Sequence, residues 1–281
     1  NLGDFELSLV SDGTYRMDGG AFFGVVPKTL WSRKKQADEN NCVRAGLNCL
    51  VVRSEEGTVL IETGVGDKLD EKRFRLHGIE RQHGLPEDIA ARGIDPDSID
   101  LVINTHLHFD HCGGNTRWQD GQAAPVFPRA RYVVQRGEWE HGHLRLERDR
   151  VSYLDENYDP LVESGRMTLL DGDATVAPGI RVCVYPGHTR HMQVVLIQSG
   201  GKTCAYLGDL VPSSAHLNPT WVMAYDLFPL ECIESKKRVL AQAAAERWLC
   251  VFVHDAEKPW GYVRPAEGGK YEFEPGQAGG L

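Results

Sequence analysis

His106, His108, Asp110 and His111 stand together in Thr105-His106-Leu107-His108-Phe109-Asp110-His111-Cys112-Gly113-Gly114. Imidazole and carboxylate together suit zinc and similar borderline divalent ions. Alternate residues of an extended segment point the same way, so with a slight bend His106, His108 and Asp110 either converge or diverge, and His111 adds a donor beside Asp110. A zinc ion held there would lower the pKa of its bound water from about 15.7 to near 7. The chain carries no G-x-S-x-G motif that would point to a serine nucleophile.

Such a cluster needs a rigid carrier. The apolar, β-branched run Ile99 to Asn104 reads as a buried strand that delivers the loop at its carboxyl end. Leu47 to Arg53 and Thr58 to Glu62 read as strands joined by the hairpin Ser54-Glu55-Glu56-Gly57. Further strands are expected over Ile180 to Tyr185, Thr203 to Leu207, Leu249 to Val253 and Arg131 to Gln135. Apolar spacing predicts two short helices within 67–92, a long helical stretch over 137–162 and another over 227–247. His77, His83, His141, His143 and His191 lack a comparable ligand loop and are expected in surface or supporting roles.

The chain has 281 residues, 25% of them charged and 41% hydrophobic, as in ordinary globular enzymes. Its net charge of -9 argues against a surface that tracks phosphates, so no nucleic-acid partner is expected. No apolar run approaches the roughly 20 residues that span a bilayer, so no membrane partner is expected. Seven cysteines, an odd number without a C-x-x-C pair, read as buried thiols in a reducing cytoplasm, a removed signal segment being the alternative. Cys112, beside the ligand loop, is expected to pack rather than ligate.

The H-x-H-x-D-H pattern resembles the metallo-β-lactamase-fold hydrolases, and the likeness extends over nearly the whole chain, read as one domain over 1–281. Tyr185-Pro186-Gly187-His188-Thr189, Leu207-Gly208-Asp209 and Val251-Phe252-Val253-His254-Asp255 look like the family's remaining metal motifs. The resemblance implies an α/β, four-layer αββα sandwich. It implies two divalent ions, zinc first, with manganese, iron or cobalt as alternatives. One metal would take His106, His108 and His188, the second Asp110, His111 and His254, with Asp209 bridging. A hydroxide between the metals would attack, and Asp110, the expected catalytic residue, would orient it and shuttle its proton. Glu62, where the family more often has Asp, is expected to support a metal ligand. His108 in place of Glu separates the chain from the flavodiiron-type relatives, and Asp209 separates it from true β-lactamases.

A closer resemblance lies in Asp18-Gly19-Gly20-Ala21-Phe22-Phe23-Gly24-Val25-Val26-Pro27-Lys28, with Leu30-Trp31, and in the segment from Ser213 to Leu230. These look like YtnP-type quorum-quenching lactonases and methyl-parathion-hydrolase-like enzymes. The resemblance implies a substrate pocket formed by Phe22, Phe23, Trp31, His216, Trp221, Met223 and Tyr225. Acyl-homoserine lactonases carry a carbonyl-polarising Tyr three residues after the bridging Asp, where this chain has Pro212; Tyr225 or His216 is the expected substitute. The expected function is a dinuclear metal-dependent hydrolase of cyclic or carboxylic esters, foremost a lactonase. An arylesterase or organophosphate triesterase is the alternative, then a thioesterase of the glyoxalase II type. The expected partner is a small-molecule ester or lactone, with a homodimer as a further expectation.

Overall fold

The computed structural model describes residues 1–276; 277–281, part of the expected 1–281 span, lie outside the described residues. Its strands are β1 (Glu6–Asp18), β2 (Cys42–Ser54), β3 (Gly57–Ile61), β4 (Leu101–Ile103), β5 (Thr116–Gln119), β6 (Gln122–Pro125), β7 (Arg131–Gln135) and β8 (Met167–Leu170). They continue as β9 (Ala174–Ala177), β10 (Ile180–Val184), β11 (Gln193–Ser199), β12 (Lys202–Tyr206), β13 (Leu249–Val251), β14 (Trp260–Ala266) and β15 (Lys270–Pro275). The helices are α1 (Gly19–Phe23), α2 (Lys28–Trp31), α3 (Glu71–Leu76), α4 (Leu85–Ala91), α5 (Phe109–Cys112), α6 (Arg136–His143), α7 (Asp159–Glu163) and α8 (Pro229–Ala245).

One sheet runs β1-β2-β3-β4-β7-β8 and the other β15-β14-β13-β12-β11-β10-β9. The central strand β4 pairs parallel with both β3 and β7, and every residue of Leu101-Val102-Ile103 is buried. A strand covered on both faces needs apolar side chains in both directions, which this run supplies. β13, also buried throughout, pairs parallel with β12.

Three apolar clusters define the layers. Leu50, Val52, Ile61 and Ile103 of the first sheet pack against Val182, Val195, Ile197 and Val251 of the second. The opposite face of the first sheet, with Val51, Leu60, Val102 and Val134, packs on Leu85 and Ile89 of α4 and Leu161 of α7. The opposite face of the second, with Val194, Leu196 and Ala205, packs on Cys232, Val239, Leu240 and Ala243 of α8. These α8 positions recur at helical spacing on one face, and Pro229 starts the helix where a missing N–H costs nothing. The result is helix, sheet, sheet, helix, each fully buried aliphatic side chain contributing roughly 1.5–3 kcal/mol.

The long helix expected over 137–162 is not formed. α6 ends at His143, Arg145 takes a left-handed backbone (φ 51°), and α7 restarts only at Asp159. All seven cysteines are free, and Cys112 is buried with its thiol toward the Leu107 carbonyl oxygen. Among the described residues no helix is long and apolar enough to cross a membrane.

Candidate metal centre

The ligand-type residues sit where strands of the two sheets end at one edge of the sandwich. β4 leads into Asn104-Thr105-His106, and β3 is followed directly by Glu62, whose φ of 64° is rare for a residue with a side chain. That conformation turns the Glu62 carboxylate back into the site. Its Oε1 accepts the Thr105 N–H at 2.9 Å and the Thr105 hydroxyl, and lies 3.4 Å from His111 Nδ1. The cost of such backbone, of order 1–3 kcal/mol, is tolerated where surrounding contacts over-determine it. Gly187 has φ 153°, and a Cβ there would stand 2.3 Å from the Cα of Cys232, so only glycine lets the His188 turn lie against α8. Gly208, at φ 53°, likewise turns the chain end of β12 into Asp209.

These turns bring two triads together. One ligand atom from each of His106, His108 and His188 lies within 4.8 Å of the others, and the same holds for Asp110, His111 and His254. Asp209 stands between them. Its Oδ2 is 3.3 Å from His188 Nε2, while Oδ1 is 3.0 Å from His254 Nε2 and 3.5 Å from His111 Nε2. His106 Nε2, His111 Nε2 and Asp209 Oδ1 are buried without a hydrogen-bond partner. Orphaned polar atoms are rare in folded chains, and here they converge from two triads. His188 Nε2 and His108 Nδ1 approach to 3.1 Å, an arrangement a shared cation satisfies directly. The donor set therefore fits two divalent ions, each with nitrogen and carboxylate ligands. Glu62 lies within the same reach of His106 and His111, but its oxygen is already held by Thr105. A group at the surface, exposed His143 with half-buried Asp155 and Asp159, is engaged by Trp139, Tyr158 and Arg145.

Ligating imidazoles need their other ring nitrogen fixed. His188 Nδ1 is 2.9 Å from Asp226 Oδ1, His254 Nδ1 is 2.9 Å from the Gly46 carbonyl, and His106 Nδ1 is 3.0 Å from the Thr105 hydroxyl. Burial, reinforced by neighbouring His188, pushes His108 down to about 3, and burial with the surrounding imidazoles pushes His106 lower than usual as well. Burial alone would raise the carboxyls of Asp110 and Asp209. The imidazoles of His111 and His254 outweigh it, holding both below the usual carboxylate range. Burial would lower His111 and His188 too, but Asp110 and Asp209 outweigh it at His111, and Asp209 and Asp226 at His188, pushing both up. Bound cations would take the place of those protons, since neutral histidines and ionised aspartates are the forms that bind metal.

The centre opens into a cavity of about 490 Å³. Its inner end is formed by His108, Asp110, His188 and Asp209, and its walls include Leu69, Phe109, Leu154 and Leu227. Of the expected pocket residues, Tyr225 lines this cavity. Phe22, Phe23, Trp31, Trp221 and Met223 instead pack together beside it. His216 is their fellow. Its ring stacks on Phe23 at 4.8 Å, Nδ1 faces the Ser213 hydroxyl at 2.8 Å, and Nε2 faces the Phe22 carbonyl at 2.8 Å. The aromatic signature is thus a packed core that backs the cavity. Asp226 and Tyr15 were not foreseen, and His77 was expected only in a surface or supporting role. His77 reaches the cavity wall with its ring 4.9 Å from Phe109. Tyr15 comes from β1, whose alternation is interrupted by Ser11-Asp12-Gly13 and gives no clear strand signal.

The family model described as metallo-beta-lactamase superfamily matches residues 45–254. An N-acyl homoserine lactonase of Bacillus cereus is 27% identical over 224 residues, 76% of this chain and 82% of that protein. A probable metal-dependent hydrolase from Staphylococcus aureus is similar in structure, with 31% identity, a TM-score of 0.87, and coverage of 99% of this chain and 100% of that one. The dizinc quorum-quenching lactonase AidC shares the fold at 21% identity and a TM-score of 0.81, over 99% of this chain and 96% of that one. With the matched segment holding both triads and Asp209, the chain belongs to the metallo-beta-lactamase superfamily and is a metal-dependent hydrolase.

Proposed function

We propose that this chain hydrolyses carboxylic esters, with lactones as its favoured substrates, at a dinuclear centre held by His106, His108, His188, Asp110, His111, His254 and bridging Asp209. The observation that carries this is Asp209 set between two triads at the inner end of a partly apolar cavity. The likeness to a lactonase over three quarters of the chain favours the cyclic ester. Two divalent ions, zinc first, would supply Lewis acidity toward water and the substrate carbonyl.

The chain's own residues do the rest. Asp110, ionised and lining the cavity, orients the attacking water and takes its proton. The water oxygen bonds to the carbonyl carbon. The ester C–O bond then breaks with its electron pair on the leaving oxygen, which receives the proton from Asp110, leaving an acid and an alcohol. Leu69, Phe109, Leu154 and Leu227 receive the non-reacting part of the substrate and keep solvent away.

The test is a hydrolysis panel on metal-loaded protein with lactones, aryl esters, phosphotriesters and thioesters. The expected result is the highest kcat/KM on a lactone, with Asp209→Ala losing both metal and activity. Preference for another class would overturn the lactone assignment. Full metal content in Asp209→Ala would overturn the ligand set.

A further inference from the structure

Tyr15 enters the centre from β1, outside the segment that matches the family model. Its side chain is 4% exposed and lines the cavity. The phenol donates to Asp110 Oδ2 at 2.8 Å, its oxygen is 3.4 Å from His254 Nε2, and its ring meets the His254 ring edge-on at 5.4 Å. All close contacts of Asp110's carboxylate run through Oδ2: Tyr15, His254 Nε2 at 3.5 Å and His111 Nε2 at 3.6 Å. Among the described residues no protein group hydrogen-bonds Asp110 Oδ1.

We infer that Tyr15 is a positioning residue: its hydroxyl fixes the rotation of the Asp110 carboxylate, so that Oδ2 serves the His111–His254 triad and Oδ1 is left to carry a proton across the cavity. A carboxylate on a short side chain rotates readily about its terminal bond. A single buried donor on one oxygen removes that freedom and distinguishes the two oxygens. The inference rests on the ester-hydrolase reading above. In that reaction the proton taken from water at Oδ1 is the one returned to the leaving oxygen. Without Tyr15 the carboxylate turns, and return of the proton suffers most where the leaving oxygen needs it most.

Tyr15→Phe removes one oxygen from a packed ring and keeps its shape. The experiment measures three things on purified wild type and variant: bound metal by mass spectrometry, the visible spectrum of the cobalt-loaded protein, and kcat and KM over a series of acetate esters of increasing leaving-group pKa. The expected variant retains two ions and an altered cobalt spectrum. It loses at least about 10-fold in kcat on alkyl esters with little change in KM, and loses far less on nitrophenyl esters, so its leaving-group dependence is steeper. Equal leaving-group dependence in the two proteins overturns the inference, as does loss of an ion from the variant. If wild type hydrolyses none of the esters, the ester reading fails and the cobalt spectrum decides alone: an unchanged spectrum in the variant overturns the inference and a changed one with two ions retained upholds the positioning of Asp110.

Discussion

His188 Nδ1 lies 2.9 Å from Asp226 Oδ1, and the other oxygen of Asp226 accepts the Met223 N–H at 2.9 Å. One buried carboxylate thus orients a ligand-type imidazole and ties it to the segment that follows Asp209. Removing such a partner typically costs about 10–100-fold in metal affinity. Asp226→Ala is expected to lose affinity in that range, measured by chelator competition. Asp226→Asn, which keeps an oxygen acceptor, is expected to lose less. Unaltered affinity in Asp226→Ala would remove the carboxylate from the centre's support.

His216 makes the opposite prediction. Both ring nitrogens are engaged by Ser213 and Phe22, and burial pushes its pKa down to about 3, so it stays a neutral core ring. Truncating a large buried ring leaves a cavity and unpaired polar groups. His216→Ala is expected to lower stability by about 2–4 kcal/mol in urea unfolding while bound metal stays at the wild-type level. Loss of an ion at unchanged stability would place His216 among the ligands instead.

Asp12 gives a pH test remote from the ligands. Its oxygens accept Arg81 Nη1 at 2.6 Å, the Leu85 N–H at 3.2 Å and the Gly66 N–H at 2.9 Å. Burial outweighs Arg81 and pushes its pKa up from 3.8 to about 6. The folded chain therefore holds this proton more tightly than the unfolded one. Asp12's contribution to stability is full below about pH 4 and is lost as pH rises through about 6. Arg81→Met strands the ionised carboxylate, so it is expected to cost about 3–5 kcal/mol at pH 8 and clearly less at pH 5, where Asp12 takes a proton. Unfolding curves of both proteins at the two pH values check this; an equal loss at both would contradict the sign.

The strands that deliver the ligand loops were legible because each is an apolar run ending in a turn, as with Leu101-Val102-Ile103 before His106 and Leu249-Cys250-Val251 before His254. The support around them was not. Asp226 belongs to no periodic pattern, and its meaning comes only from the approach of His188 across 38 positions. Tyr15 sits on a strand whose register shifts between Ser11 and Thr14. The aromatics of 22–31 and 221–223 announced a cluster, but composition does not say which side of an aromatic layer faces a cavity. The expected helix over 137–162 failed because local apolar spacing carries no sign of the left-handed Arg145 that ends it.

The centre draws residues from both sheets: the loop after β4 on one side, and the turns after β10, β12 and β13 on the other. Gln193 already spans this seam, its backbone N–H donating to the Thr105 carbonyl at 2.9 Å and its side-chain Nε2 donating to the Asn104 backbone carbonyl at 2.9 Å. Bound ions would be rivets through the same seam. Since ligands that bind only the folded state add roughly 4 kcal/mol at a thousandfold excess over Kd, the supply of metal would govern how long the chain survives as well as how fast it works. Losing the ions would then loosen the joint between the two sheets as well as empty the centre.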